Sequence, residues 1–522
     1  MLLLGIGPSG PLLNPFTRVR IVRAAGPGRD QKGGFVVIST LSTAPSSATA
    51  MPLLPQSVLD ERLMAQMLGG AGRLRAEGAG QRIARLKRLR RAVSDHRREL
   101  QQAFAADLGK SEEAVDMADI LPIALEISHA VRHLRSWMRP RRVGRPLAFL
   151  GTRNEVHVQP KGVGLVISAW NYPFSLTIGP LVSAVAAGCA VVVKPSEFAP
   201  NVARVVRSIV ESCFAADEVR VVEGGEDVSR ALTALPFAHV FFTGSTRVGR
   251  FVMKAAAQNL ASVTLELGGK SPTVVDASAD VSEAAKRIAF GKFSNAGQTC
   301  TAPDYVFVHE SIQREFLAEL QRHLKAFFPD GQKSREYGRL IHEGHHARLS
   351  SLCADALDRG ANILGGETDR SDLFLGPTIL TDVDPESALM QEEIFGPVLP
   401  IIPFSDLDEV IGRINARPPP LALYVFSRTG SDIDRLLAGT RTGGVVVNDT
   451  IIQFANPELP FGGLGESGMG RGHGHAGFME FSNRRAVMHQ RRGLATTRLF
   501  FPPFNGLKRR SLDLVLRMYG IR

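Results

Sequence analysis

The stretch Val163-Gly164-Leu165-Val166-Ile167-Ser168-Ala169, followed by helical spacing from Phe174 to Ala187 and then by Ala190-Val191-Val192-Val193-Lys194, decides the fold. Both apolar runs read as strands buried on two faces, and a parallel sheet covered by helices on either side buries strands in that way. The segment between them has the length of the crossover that parallel neighbours need. The alternation continues with a helix near Asn201 to Phe214, the strand Val219 to Val222, a short helix, and the strand His239 to Phe242. The expected architecture is α/β, a doubly wound parallel sheet.

Upstream, Ile83, Leu86, Leu89, Val93 and Leu100 recur at helical spacing between about Gln81 and Leu108, and a second helix fits Glu112 to Met138. Asn154 to Gln159 alternates polar and apolar residues like an edge strand. Downstream, a second α/β unit runs from about Ser271 to Gly443, with helices near Val281 to Ser294, Ser311 to Phe328 and His345 to Arg359.

A chain of 522 residues has room for two or three domains. Its net charge of +11 raises nucleic acid as a partner, but the charge sits in the ends. Residues 1–50 carry five basic groups against one acid and residues 484–522 carry ten against one, which leaves the body slightly negative. Cys189, Cys213, Cys300 and Cys353 are too scattered for a disulfide framework, so a reducing, cytoplasmic compartment is expected. No apolar run reaches the roughly 18–20 residues that span a bilayer. Residues 1–50, rich in Gly, Pro, Ser and Thr, read as a disordered or artefactual extension rather than a targeting segment.

A sheet of this kind binds nucleotides beyond its strand C-termini. Lys194-Pro195-Ser196-Glu197 follows one strand, where Lys194 can donate to a ribose and Glu197 accept from it. Thr243-Gly244-Ser245-Thr246-Arg247-Val248-Gly249 follows another and opens a helix whose free N–H groups suit a pyrophosphate, although a plain tight turn explains the glycines as well. Phe293-Ser294-Asn295-Ala296-Gly297-Gln298-Thr299-Cys300 places a thiol after a glycine-containing turn, at a junction between a helix and the strand Tyr305 to Val308, although taken alone it reads as a buried packing cysteine. Thr264-Leu265-Glu266-Leu267-Gly268-Gly269 holds an acid between leucines, suited to proton transfer. Asn171 ends the strand Val163 to Ala169 and its loop with an amide that can donate to an oxyanion.

Taken together, these three stretches resemble the aldehyde dehydrogenase family. The block from Phe293 through Ala302-Pro303-Asp304-Tyr305 is similar to the class 3 branch, which includes fatty-aldehyde and coniferyl-aldehyde enzymes. The resemblance covers about residues 80–505 and implies oxidation of an aromatic or a medium- to long-chain aliphatic aldehyde to its acid. It implies that Cys300 attacks the carbonyl carbon, that Asn171 and the Cys300 N–H hold the oxyanion, and that Glu266 activates the water that hydrolyses the thioester. Coenzyme-A-acylating relatives dispense with that base. The coenzyme is expected at Lys194, Glu197, Gly244, Ser245, Val248 and Gly249. By the match of Met390 to Val398, Glu393 is expected on the nicotinamide ribose and Phe395 near its ring. Glu197 favours NAD, since a carboxylate repels a ribose 2′-phosphate, with NADP open. The expected division is 51–268 for coenzyme, 269–443 for catalysis, and 444–522 for a return segment with an oligomerisation strand and a basic C-terminal helix. Alternatives are an acyl-thioester or acyl-phosphate reductase, and a catalytically silent protein on the same scaffold.

Three motifs mislead. Gly463 to Gly468 fits a dinucleotide fingerprint without a strand leading into it, and Gly268-Gly269-Lys270-Ser271 lacks the first glycine of a phosphate loop. His342-Glu343-Gly344-His345-His346 has zinc spacing, but Gly344 weakens the helix and no third ligand is evident, so no metal is expected. A homodimer through Asn154 to Gln159 and Ala486 to Arg492 is implied by the resemblance. The amphipathic stretch Leu507 to Tyr519 is expected to dock on protein rather than on a membrane surface.

Overall fold

A computed structural model describes residues 56–493 and 496–521; the expected extension over 1–50 lies outside them. The first sheet has six strands in the order Gly468–Met469, Ser262–Glu266, His239–Thr243, Val163–Ile167, Ala190–Lys194, Val219–Val221. All neighbours are parallel except the short first strand, which runs antiparallel to Ser262–Glu266. Successive side chains of a strand face opposite ways, and the two cores show it. Val166, Val191, Val193 and Phe241 pack with helices Ala79–Asp95, Leu121–Trp137, Ser175–Ala187 and Pro200–Cys213. Leu165, Ile167, Val192, Val240 and Phe242 pack on the other side with Met64, Met67, Leu232 and Val252. The doubly wound reading of residues 163–194 is therefore borne out.

The second sheet has seven strands in the order Asn362–Gly365, Thr378–Thr381, Val398–Phe404, Tyr305–His309, Pro272–Val275, Ala422–Phe426, Gly444–Val447. Only Asn362–Gly365 is antiparallel to its neighbour.

A third, antiparallel sheet corrects one expectation. Thr152–Pro160 pairs with Arg141–Val143 on one side and with Ser482–Gln490 on the other, so it is a central strand and not an edge. Its alternating sequence reflects a thin sheet with two partly wet faces. Of the sheet's two edge strands, Arg141–Val143 and Ser482–Gln490, the longer is Ser482–Gln490, whose side chains are mostly exposed.

The two long upstream helices are also interrupted. The first breaks at His96, which leaves helical geometry and brings ring Nδ1 to 2.8 Å from the Ala92 carbonyl oxygen. In the second, a π-helical turn at Asp116–Ile120 precedes Pro122, whose ring nitrogen cannot donate to the ladder. That turn carries Asp119 into the interior, where it meets Lys110 and the Ser175 N–H. In the C-terminal helix Gly506–Met518, Leu512, Val515 and Leu516 are half-buried while Leu514, Met518 and Tyr519 stay exposed. No helix among the described residues is long and apolar enough to cross a membrane.

Candidate active site

The cysteine loop is a run of backbone turns fixed by buried side chains. Asn295, Ala296 and Gly297 are all left-handed, with φ of 54°, 50° and 73°, which reverses the chain after the helix Val281–Phe293. Only glycine serves at 297, because an added Cβ would overlap the Gly396 carbonyl. Gln298 is wholly buried and accepts from Ile341 N–H through Oε1 at 3.0 Å, while its amide donates to the carbonyls of Asn295 and Arg339. Tyr172 Oη lies 2.7 Å from Thr299 Oγ1, and Tyr424 Oη donates to the Thr301 carbonyl at 2.5 Å.

Asn171 belongs to this scaffold. It is 2% exposed, and its amide donates to the Gln298 carbonyl at 3.0 Å, leaving its second N–H uncommitted. Its own carbonyl accepts from Asn295 Nδ2 and from Lys110 Nζ, the latter paired with Asp119 at 3.3 Å. A buried amine against a buried carboxylate satisfies both charges and ties the strand-end loop to the cysteine loop.

Cys300 borders two cavities. One is also lined by Glu266, Thr243, Leu267 and Phe461, and the other by Tyr172, Ile123, Leu176, Phe454 and Phe461. Glu266 ends the strand Ser262–Glu266; its Oε1 accepts from Gly472 N–H at 3.2 Å and its buried Oε2 has no partner. Burial pushes its carboxyl up to about 8. Burial, followed by the nearby carboxylates of Glu393 and Glu266, pushes the Cys300 thiol up to about 12.

Glu393 packs so closely on the Gly268 backbone that any Cβ at 268 would overlap its carboxylate. Burial and then Asp304 push its carboxyl up to about 8. Asp304 fixes this segment: one oxygen accepts from Ile394 N–H at 2.9 Å and the other pairs with Lys270, which also donates to the carbonyls of Leu389 and Glu392. Phe395, at φ of 51°, meets Trp170 edge-on with ring centroids 5.3 Å apart.

The remaining predicted residues lie at the C-terminal edge of the first sheet. Lys194 Nζ pairs with Glu197 Oε2 at 2.5 Å, the lysine buried and the carboxylate partly exposed. Ser245 caps the helix Thr246–Gln258 by accepting from Val248 N–H at 3.4 Å, and Val248 is exposed on its first turn. Gly249 is buried against Leu267, and Gly244 lies against the Phe242 ring, so neither backbone carries a side chain that would block the helix start. A ribose partner pair, an open helix N-terminus and bare backbone at 244 fit a dinucleotide. The misleading glycine motif contributes differently: its Glu466 carbonyl accepts from Thr246 Oγ1 and its carboxylate pairs with Arg250 at 2.6 Å, bracing that helix.

Sequence reasoning passed over Lys110, Asp119, Asp304 and Lys270 as site residues. Asp304 and Lys270 have partners remote in sequence, and Lys110 and Asp119, nine residues apart, meet only because the π-helical turn carries Asp119 inward, so spacing gave no signal. Lys292 was missed because nothing in its sequence marks its burial: it is fully buried, its amine has no hydrogen-bond partner among the described residues, and burial lowers it to about 8. The imidazoles of the zinc-like motif go to separate partners: His345 to the Phe395 carbonyl, His346 to Thr368 and Phe374, and His342 to the His345 N–H.

A half-buried thiol and a buried acid on one cavity, beside a doubly wound sheet with an open edge, fit a coenzyme-dependent oxidoreductase. The chain belongs to the aldehyde dehydrogenase family, whose sequence profile matches residues 62–487. The rat protein named aldehyde dehydrogenase, dimeric NADP-preferring, is 43% identical over 78% of this chain and 89% of its own length. A probable coniferyl aldehyde dehydrogenase of Pseudomonas aeruginosa is 42% identical over 82% and 90%. The structure of Staphylococcus aureus AldH in its substrate-bound state superposes with a TM-score of 0.83 at 39% identity, covering 87% of this chain and 98% of that one. The protein is an enzyme of aldehyde oxidation that uses NAD or NADP.

Proposed function

We propose that Cys300, Glu266 and Asn171 carry this oxidation, and that the substrate is an apolar aldehyde, aromatic or aliphatic. The observation that carries the reading is that Cys300 and the unpartnered Glu266 Oε2 belong to one cavity, with a second, apolar and aromatic cavity opening on the same sulfur.

The thiol must first lose its proton, which passes to solvent. The thiolate then adds to the carbonyl carbon, and the oxyanion is held by the second Asn171 amide N–H and the Cys300 N–H; one such donor contributes about 3–4 kcal/mol to the transition state. When bound, the oxidised nicotinamide supplies the hydride acceptor. Cys300 is left as a thioester, and Glu266, ionised, takes a proton from the water that releases the acid and restores the thiol. The presence of this base favours hydrolysis over transfer to coenzyme A or phosphate.

Lys194 and Glu197 are proposed to hold the ribose, and Gly244, Ser245, Val248 and Gly249 the pyrophosphate. Glu393 and Phe395 are proposed to flank the nicotinamide end, and NAD to be preferred. The division at 268/269 is supported by strand membership of the two large sheets, whereas Gly444–Val447 still belongs to the second sheet, so the return segment is proposed to begin after it rather than at 444; a homodimer is supported by the exposed edge strand Ser482–Gln490. The test follows reduced nicotinamide as purified protein meets coniferyl aldehyde or an aliphatic series with NAD or NADP. Turnover that vanishes in Cys300→Ala is expected. Turnover only from acyl-coenzyme A or acyl phosphate towards aldehyde would overturn the reading.

A further inference from the structure

Three side chains that ligate metals converge on the helix Leu121–Trp137, away from the reacting sulfur. His129 and His133 stand four residues apart, which places both rings on one helix face with centroids 4.6 Å apart. Glu458, from the turn that follows Asn456, brings Oε1 to 3.2 Å from His129 Nδ1. One donor atom from each of the three lies within 4.8 Å of the others.

We propose that His129, His133 and Glu458 form a binding site for a divalent transition ion of the zinc type. Two imidazoles and one carboxylate are a donor set that zinc takes, with water completing the coordination. Donors at about 2.0–2.2 Å in a tetrahedron stand about 3.3 Å apart, so the His129–Glu458 separation already fits. Closing the rest needs up to about 1.5 Å of movement, and it falls to the less buried groups: the Glu458 side chain is 68% exposed and His133 is half-buried.

The surroundings fix the one ligand that cannot move. His129 is 8% exposed and packs against Trp137, which also stacks on His133 and meets His475. Its Nε2 faces the Gly474 backbone, where an added Cβ would lie 3.3 Å from it and would overlap the Pro457 carbonyl. Nδ1 is therefore left pointing at Glu458. Glu126, one turn earlier, adds a second carboxylate; it accepts from Gly474 N–H at 2.7 Å and lies 3.7 Å from His473 Nδ1. Arg132, on the same helix, is a nearby cation that opposes positive charge at His129.

The position gives the ion a consequence. Glu126 and His473 also line the apolar cavity in front of Cys300. An ion on this site fastens the turn carrying Pro457 and Glu458 to the helix that forms one wall of that cavity.

The plain alternative is a His129–Glu458 ion pair with no ion between them, and titration separates the two. Full-length protein in a Cys300→Ala background, which removes the competing thiol, is stripped with chelator and titrated with Zn2+ by calorimetry. One ion per chain is expected, with affinity at least tenfold weaker in His133→Asn and in Glu458→Gln. Cobalt(II) in place of zinc is expected to give a visible absorption band that is lost in the same variants. Glu458 is exposed, so Glu458→Gln keeps the test valid if the histidine variant folds poorly. Absence of saturable one-site binding, or binding equal in parent and variants, overturns the proposal.

Discussion

The cysteine loop and the sheet edge proposed for the coenzyme are built in opposite ways. Around Cys300, three left-handed residues in succession are tied by Gln298, Asn171, Asn295, Tyr172 and Tyr424, so nearly every turn of backbone ends on a buried side chain. At the ends of Ala190–Lys194 and His239–Thr243 the surface is made of short residues and exposed backbone, with one polar pair, Lys194 and Glu197. Reacting atoms gain from being held in one geometry, whereas a coenzyme that comes and goes needs an open edge. Changes in the loop should therefore cut the chemical steps, and changes at the edge should shift coenzyme binding.

The largest effect after loss of the thiol is expected at Glu266. Glu266→Gln should lower steady-state turnover by about 10²–10⁴-fold, the range for loss of a general base, while a single turnover still yields reduced nicotinamide and leaves an acylated Cys300. Rapid mixing with mass analysis of the trapped protein checks it; unchanged steady-state turnover would sink the assignment. The pH dependence has a definite sign. A carboxyl pushed up to about 8 is mostly protonated at pH 6 and ionised above 8, so hydrolysis of the thioester should accelerate as pH rises through that value. The same burial makes ionised Glu266 a cost to the fold above the ordinary carboxylate range, so Glu266→Gln should melt higher than the parent at pH 8 and lose that advantage near pH 4.

Gly297→Ala attacks the loop through its backbone alone. The Cβ would meet the Gly396 carbonyl at a φ that disfavours any side chain, so the turn must shift. Strain of this kind costs roughly 1–3 kcal/mol, and a displacement of about 1 Å at the sulfur costs on the order of 10²-fold in rate. Coenzyme affinity, read by quenching of protein fluorescence, should stay within about threefold of the parent. A comparable loss in both readouts would mean that loop and edge form one unit.

The two regions were also unequally legible. The sheet could be read because runs such as Ala190 to Lys194 are buried on both faces, and burial on both faces leaves an unbroken apolar pattern. Cys300 alone reads as a packing cysteine, and it stood out only beside Glu266 and Asn171, an acid among leucines and an amide after a strand, through the family resemblance that the three stretches carry together. What holds them was not local. Lys110 finds Asp119 and the Asn171 carbonyl, and Asp304 finds Lys270 and Ile394 N–H, across gaps that no periodicity connects. The strand Thr152–Pro160 misled for a related reason, since alternation reports wet faces and says nothing about how many edges are paired. His129, His133 and Glu458 gave no joint signal, with more than three hundred residues between the helix and the turn.

The smallest expected effect lies at the open edge and is the most selective. Lys194 is buried with its amine on Glu197 Oε2, and the carboxylate is the partly exposed member of the pair. On the proposed assignment, a carboxylate there accepts from ribose hydroxyls and repels a 2′-phosphate, and solvent screens both effects at an exposed position. Glu197→Gln removes the charge and keeps the shape, so it should weaken NAD by a few-fold and strengthen NADP by a similar factor, moving the ratio of kcat/KM values by about tenfold. The rate of a single turnover at saturating coenzyme should stay unchanged, because the loop that holds Cys300 is built from other residues. A fall in that rate would place Glu197 among the groups that position the reacting atoms and would erase the distinction between a rigid loop and an open edge.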